Sequence, residues 1–125
     1  MADSLRDGEI ATQVVDGVVI IYVTSYLNRL AGERIERECR RNLKAGCQSV
    51  ILDFRQMGLV NSVGISILLG IIGAARDRGA RLIFCAVGEQ NLELFQMMGL
   101  TKHVGVTADE TTALRLIKEA TAAAS

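Results

Sequence analysis

Four consecutive residues, Asn61-Ser62-Val63-Gly64, stand where this sequence could place a reactive hydroxyl. Behind them lie the apolar run Val50-Ile51-Leu52, then Asp53 and a short loop containing Gly58. Ahead of them lies the almost wholly apolar segment Ile65–Ile72. The pattern reads as strand, loop, helix. Asn61 is a suitable N-cap, because its side-chain oxygen can accept N–H bonds that the first helical turn cannot satisfy within itself. Ser62 then falls at the first helical position, beside free N–H groups at the positive end of the helix dipole, where an added phosphate would be well accommodated. Two readings stay open on spacing alone: a cap and nothing more, or a phosphate-accepting serine.

The other reactive residue types are less productive. Cys39, Cys47 and Cys85 are odd in number and form no Cys-x-x-Cys pair, which argues against a disulfide framework or a zinc site and for small core residues. His103, the only histidine, has no Cys, Asp or second His patterned beside it and reads as a loop residue. No Gly-Lys-Ser/Thr phosphate loop, His-Glu-x-x-His or convincing nucleophile–base pair is present, so a non-enzymatic protein with no cofactor and no metal is expected.

The chain has 125 residues, half of them hydrophobic, with a formal net charge of zero. A single domain is expected over residues 1–125. Zero net charge gives no footprint for nucleic acid or anionic lipid, which leaves a protein partner or a small ligand. Val63–Ile72 is about half the ~20 residues that a membrane-spanning helix needs, and Met1–Gly8 is charged where a secretory signal would be apolar. A cytoplasmic location follows as an expectation, without membrane insertion.

The elements that must position Ser62 can be read in chain order. Ile10–Val15 and Val18–Val23 form a hairpin through Asp16-Gly17, and the unbroken apolar run of the second strand implies cover on both faces. Polar Thr24, Ser25 and Asn28 mark a loop or helix start. From there Leu27, Ala31, Ile35, Cys39 and Leu43 line one helix side, with Glu33–Arg37 and Glu36–Arg40 as surface pairs, and Gly46 ends the helix. Cys47–Phe54 is a third strand, about Ser62–Arg78 a buried helix, and Arg81–Val87 a fourth strand. In that helix Gly70 and Gly73 are expected to admit close approach of another element. Gly88–Leu100 follows as a helix with Leu92, Phe95 and Met98 in the core, then an edge strand at Thr101–Val106. A last helix spans Asp109–Ala122, capped by Thr107, Asp109 or Thr111. The expected fold is α/β, a mixed sheet with an initial hairpin, covered by about four helices. Both Thr24–Asn28 and Phe54–Ser62 leave the carboxyl ends of strands, where binding sites of such sheets gather.

With those residues in place, the sequence resembles the STAS domain family of bacterial anti-sigma factor antagonists over roughly Ile10–Ala120. The pieces that carry the likeness are Val50-Ile51-Leu52-Asp53, Asn61-Ser62-Val63-Gly64, Ile65–Ile72, Arg76-Asp77-Arg78-Gly79, Leu82-Ile83-Phe84, Leu94–Leu100 and Ala113-Leu114. The resemblance implies that Ser62 is the phosphoacceptor, in a turn made by Asn61, Val63 and Gly64. It implies a partner that is an anti-sigma factor and serine kinase of the histidine-kinase-like ATPase fold, sequestered by the unphosphorylated antagonist. Thr24, Ser25, Ile65 and Leu69 are the expected partner contacts, with Ile65 and Leu69 partly exposed. Asn61 stands where the family commonly has aspartate, and Val63 where it has a second serine or threonine. Neutral Asn61 motivates a rival reading, an accessory subunit of a transport or lipid-trafficking complex that works without phosphorylation.

Overall fold

A computed structural model describes residues 10–23 and 27–124. Five strands, β1 (Thr12–Val15), β2 (Val18–Tyr22), β3 (Ser49–Asp53), β4 (Arg81–Cys85) and β5 (Gly105–Thr107), lie side by side in chain order. β1 and β2 are antiparallel, with Val15 opposite Val18, and the other three pairings are parallel. The hairpin closes as expected, since Asp16 and Gly17 both adopt positive φ, 51° and 79°, the geometry that matches a two-residue turn to the twist of its strands.

Helices α1 (Arg29–Lys44), α2 (Ser62–Asp77) and α3 (Glu89–Met97) make the parallel crossovers, and α4 (Glu110–Ala124) follows β5. Each crossover steps one strand in the same direction, so handedness puts α1, α2 and α3 on one face. Two cores result. Val19, Ile21, Val50, Leu52, Phe54 and Phe84 point to that face, while Val18, Ile20, Ile51, Ile83 and Cys85 point to Ala113 and Ile117 of α4. Cover on both faces is why β2, β3 and β4 are continuous apolar runs. Phe54, Phe84 and Phe95 form a ring cluster with centroids 5.0–5.8 Å apart, tying β3, β4 and α3 together.

Several elements end where the sequence indicates. Gly46 and Gly79, with φ of 104° and 64°, follow α1 and α2 as left-handed caps. The N–H groups of Cys47 and Ala80 reach back to Asn42 and Ala75, the paired-bond closure that glycine at that position permits. Asp109 caps α4 by accepting the Thr112 N–H at 2.8 Å. Of the two expected α1 surface pairs, Glu36–Arg40 forms at 2.8 Å, Arg41 pairs with Glu38, and Glu33–Arg37 is not among the ion pairs of the described residues.

Four expectations are corrected. Met98 is exposed rather than core: α3 ends at Met97, and Gly99, at φ 80°, turns the chain so that Leu100 takes the core position. A short 3-10 helix, Leu100–Lys102, takes the start of the expected Thr101–Val106 strand, and β5 begins only at Gly105. On α1, Ile35, Cys39 and Leu43 are buried as expected, but in the first turn Gly32 is the buried residue and Ala31 only half-buried, because a 3.6-residue turn drifts off a strict four-residue spacing. Close approach holds at Gly70, where a Cβ would lie 3.1 Å from Glu36 Oε2, but nothing lies within 4 Å of one at Gly73.

Candidate functional site

The loop from β3 to α2 starts on a buried carboxylate. Asp53 ends β3 almost wholly buried, its Oδ1 accepting the Arg55 N–H at 2.8 Å and its Oδ2 lying 3.1 Å from the Arg55 guanidinium. Arg55 also reaches Glu110 Oε2 at 3.4 Å, so the loop is tied to the first residue of α4. Around this cluster the negative forms of three neighbouring groups are disfavoured. A hydrogen bond with Asp53, and then burial, push the Glu110 carboxyl above the usual glutamate range. Burial first, then a hydrogen bond to Glu110, push Tyr22 up to about 12. Burial, with the nearby Asp53 charge, pushes the Cys85 thiol up to about 12. A thiol so disfavoured as thiolate is a packing residue rather than a nucleophile. Asp53 is thus more than the turn residue its position in the sequence implies.

Beyond Phe54 the loop turns once, the Met57 N–H meeting the Phe54 carbonyl at 2.9 Å. It is then gripped from outside. Asn91 of α3 accepts the Val60 N–H through Oδ1 and donates its amide to the Gly58 carbonyl, both at 2.9 Å. Sequence reasoning missed this residue. The signal was an amide one helical turn before buried Phe95, on the apolar side of α3, where an unpartnered polar group would be costly.

Asn61 then caps α2 as expected, in an extended conformation with Oδ1 accepting the Gly64 N–H at 3.0 Å. Gly64 is required for steric reasons: a Cβ there would lie 2.6 Å from Val60 Cγ1 and 3.0 Å from Leu27 Cδ2. Without a side chain, α2 starts close against the loop, and Ser62 and Val63 are left outside. Ser62 opens on a groove of about 450 Å³ between α1 and α2, lined also by Arg29, Glu33, Glu36, Ser66 and Ile67.

The face around Ser62 differs from the expected one. Leu69 is 45% exposed as anticipated, but Ile65 is 5% exposed and belongs to the core. At 3.6 residues per turn, Leu69 lies nearly in line with Ser62, whereas Ile65 is rotated toward Leu68 and Ile72, which face the sheet. The exposed apolar residues nearest Ser62 in sequence are Val63, at 41%, and Leu59, at 73%. Thr24 and Ser25 lie outside the described residues. His103 is exposed at the end of the 3-10 helix, and Cys39 and Cys85 are buried with Cys47 partly so. Among the described residues no helix is long and apolar enough to cross a membrane.

An initial hairpin, parallel strands in chain order, three crossover helices on one face and a serine at the start of the second crossover helix define a STAS-type fold. The STAS domain family matches residues 9–114, and the chain belongs to that family. Solved structures agree on the fold. The unphosphorylated form of the anti-sigma factor antagonist SpoIIAA superposes with a TM-score of 0.75 at 20% identity, covering 89% of this chain and 97% of its own. The phosphorylated form of the Bacillus cell fate determinant SpoIIAA gives 0.71 at 21% identity, over 87% and 99%. An anti-sigma factor antagonist from Mycobacterium paratuberculosis gives 0.76 at 16% identity, over 88% and 93%.

Proposed function

We propose that this chain is a cytoplasmic anti-sigma factor antagonist, a binding module whose grip on an anti-sigma factor is switched by phosphorylation of Ser62. The observation that carries the reading is the placement of Ser62: an exposed hydroxyl at the first position of α2, directly after the Asn61 cap. That a relative of the same fold is described in both unphosphorylated and phosphorylated forms supports it. The partner is a serine kinase of the histidine-kinase-like ATPase fold. It supplies ATP and the base that takes the Ser62 proton. The γ-phosphoryl group passes from ATP to Ser62 Oγ, leaving ADP, and this chain supplies acceptor and docking surface only.

The phosphate acts at the surface. The helix dipole and the free N–H groups of the first turn favour it, so the domain stays folded. In the docked complex the same nearly two negative charges would be buried against groups arranged for a neutral hydroxyl, at a cost of several kcal/mol, more than about a hundredfold in affinity. Neutral Asn61 favours the second reading, an accessory subunit that binds an ATPase through this face with no phosphate involved.

Intact mass after incubation with the cognate serine kinase and ATP decides between them. One added phosphoryl group, lost in Ser62→Ala, supports the switch. Binding in which Ser62→Asp matches Ser62→Ala removes the switch and leaves the accessory role.

A further inference from the structure

We infer that Asn91 is the positioning residue of the loop that delivers Ser62. Its side chain does for that loop what a neighbouring strand does for a sheet edge. It accepts from the Val60 N–H and donates to the Gly58 carbonyl, both at 2.9 Å, from a residue only 5% exposed. Among the described residues no other hydrogen bond holds Gly58, Leu59 or Val60. The two bonds therefore fix the conformation between the Met57 turn and the Asn61 cap.

The consequence lies on either side of the clamp. Val60 is held inward in the core, and Leu59, between the two bonded residues, is held outward at 73% exposure. The anchor is rigid because one turn along α3 Phe95 is fully buried in the ring cluster with Phe54 and Phe84. A protein that docks on Ser62 thus meets Leu59, three residues upstream, already in place, so no loop ordering is charged against binding. This last step rests on the proposed role of Ser62; the clamp itself does not.

Two variants separate the hydrogen bonds from packing. Asn91→Leu keeps the volume but removes both bonds and strands two backbone groups. Asn91→Asp keeps an acceptor for the Val60 N–H, and when protonated also regains the donor toward the Gly58 carbonyl. When ionised, it sets charge against that carbonyl. Amide exchange by NMR is the readout, with the Ile51 amide of β3 as reference for global opening. Asn91→Leu is expected to lower the Val60 protection factor by about ten- to a hundredfold, with Ile51, which reports global opening, falling by no more than the same factor. In Asn91→Asp the Val60 protection is expected to recover as pH falls. Both variants should lower kcat/KM for Ser62 phosphorylation by the cognate kinase, the aspartate variant in step with pH. An unchanged Val60 protection factor in Asn91→Leu overturns the inference. Should that variant not fold, a pH-independent Val60 protection in Asn91→Asp overturns it instead. A parent protein that no kinase phosphorylates would sink the proposed function and leave the exchange result standing.

Discussion

Ile67 of α2 occupies the space that a side chain on Gly32 of α1 would need. A Cβ at Gly32 would lie 1.9 Å from Ile67 Cδ1 and 3.0 Å from its Cγ1. The two helices pack directly because one of them presents bare backbone at the contact. Their spacing in turn sets the width of the groove on which Ser62 opens.

Gly32→Ala tests that contact with opposing effects. Alanine gains about 1 kcal/mol of helix propensity, while overpacking a filled core costs about 1–3 kcal/mol. Ile67 is buried, so the second effect wins and a net loss of about 1 kcal/mol is expected in urea unfolding. Ile67→Val, which removes Cδ1, should cost less in the Gly32→Ala background than in the parent, giving a double-mutant cycle of clear sign. A Gly32→Ala protein more stable than its parent would show that Ile67 turns aside freely.

Asn61 gives a second stability prediction. The first turn of α2 contains no acidic residue, so the Asn61 side chain is the main compensation for its free N–H groups. Asn61→Ala should lower stability by about 1 kcal/mol. Asn61→Asp keeps the acceptor, adds a charge that the dipole favours, and should raise stability by about 0.3–1 kcal/mol at low salt. Equal urea midpoints for all three proteins would place the start of the helix elsewhere.

The β3–α2 unit was legible because its signals are local. An apolar run, a capping asparagine and a serine lie in the order a strand–loop–helix unit needs, and glycines at 46 and 79 mark helix ends by backbone conformation. What was not legible depends on residues distant in sequence. Gly32 matters only because Ile67 lies opposite, and Asn91 only because Gly58 and Val60 are brought beneath α3. Ile65 was assigned to the exposed face because apolar composition around α2 does not reveal which side meets the sheet; the angular offset from Ser62 does. The role of Asp53 was not legible because Glu110, which the α4 packing brings into its cluster, is distant in sequence.

The Asp53–Arg55–Glu110 cluster predicts a pH dependence. Folding raises the Glu110 pKa, through the Asp53 hydrogen bond first and burial second. The folded state therefore holds a proton where the unfolded chain has released it. The resulting stabilisation is complete below the ordinary glutamate value, about 4.3, and is lost as pH rises through the folded-state value. Glu110→Gln removes this titration and keeps a hydrogen-bonding group beside Asp53. Its stability relative to the parent should climb as pH rises above about 4.3 and through the raised folded-state value. Subtracting the two curves cancels the opposite contribution of Glu38, whose carboxyl Arg41 holds below its usual range. A flat difference between the two proteins would mean that folding leaves the Glu110 carboxyl at its ordinary value.

Charge scanning around Ser62 separates core from interface. Ile65 is buried among core residues, so Ile65→Asp places an unpaired charge in an apolar interior. That cost of several kcal/mol is a large part of a domain's typical 5–15 kcal/mol, on the order of complete unfolding. Leu59 and Val63 are exposed, so Leu59→Asp and Val63→Asp should change stability by no more than about 0.5 kcal/mol, with Val63→Asp helped slightly by its place in the first turn of α2. Leu69→Lys, on the same face as Ser62, should also fold. If the proposed partner docks on Ser62, its contacts must include this apolar rim, and a charge at Leu59 should weaken binding by about 2 kcal/mol or more, roughly thirtyfold. Circular dichroism and titration calorimetry on the four variants read fold and affinity separately. Full partner affinity in both Leu59→Asp and Val63→Asp would move the interface off this end of the sheet, and with it the role assigned to Ser62.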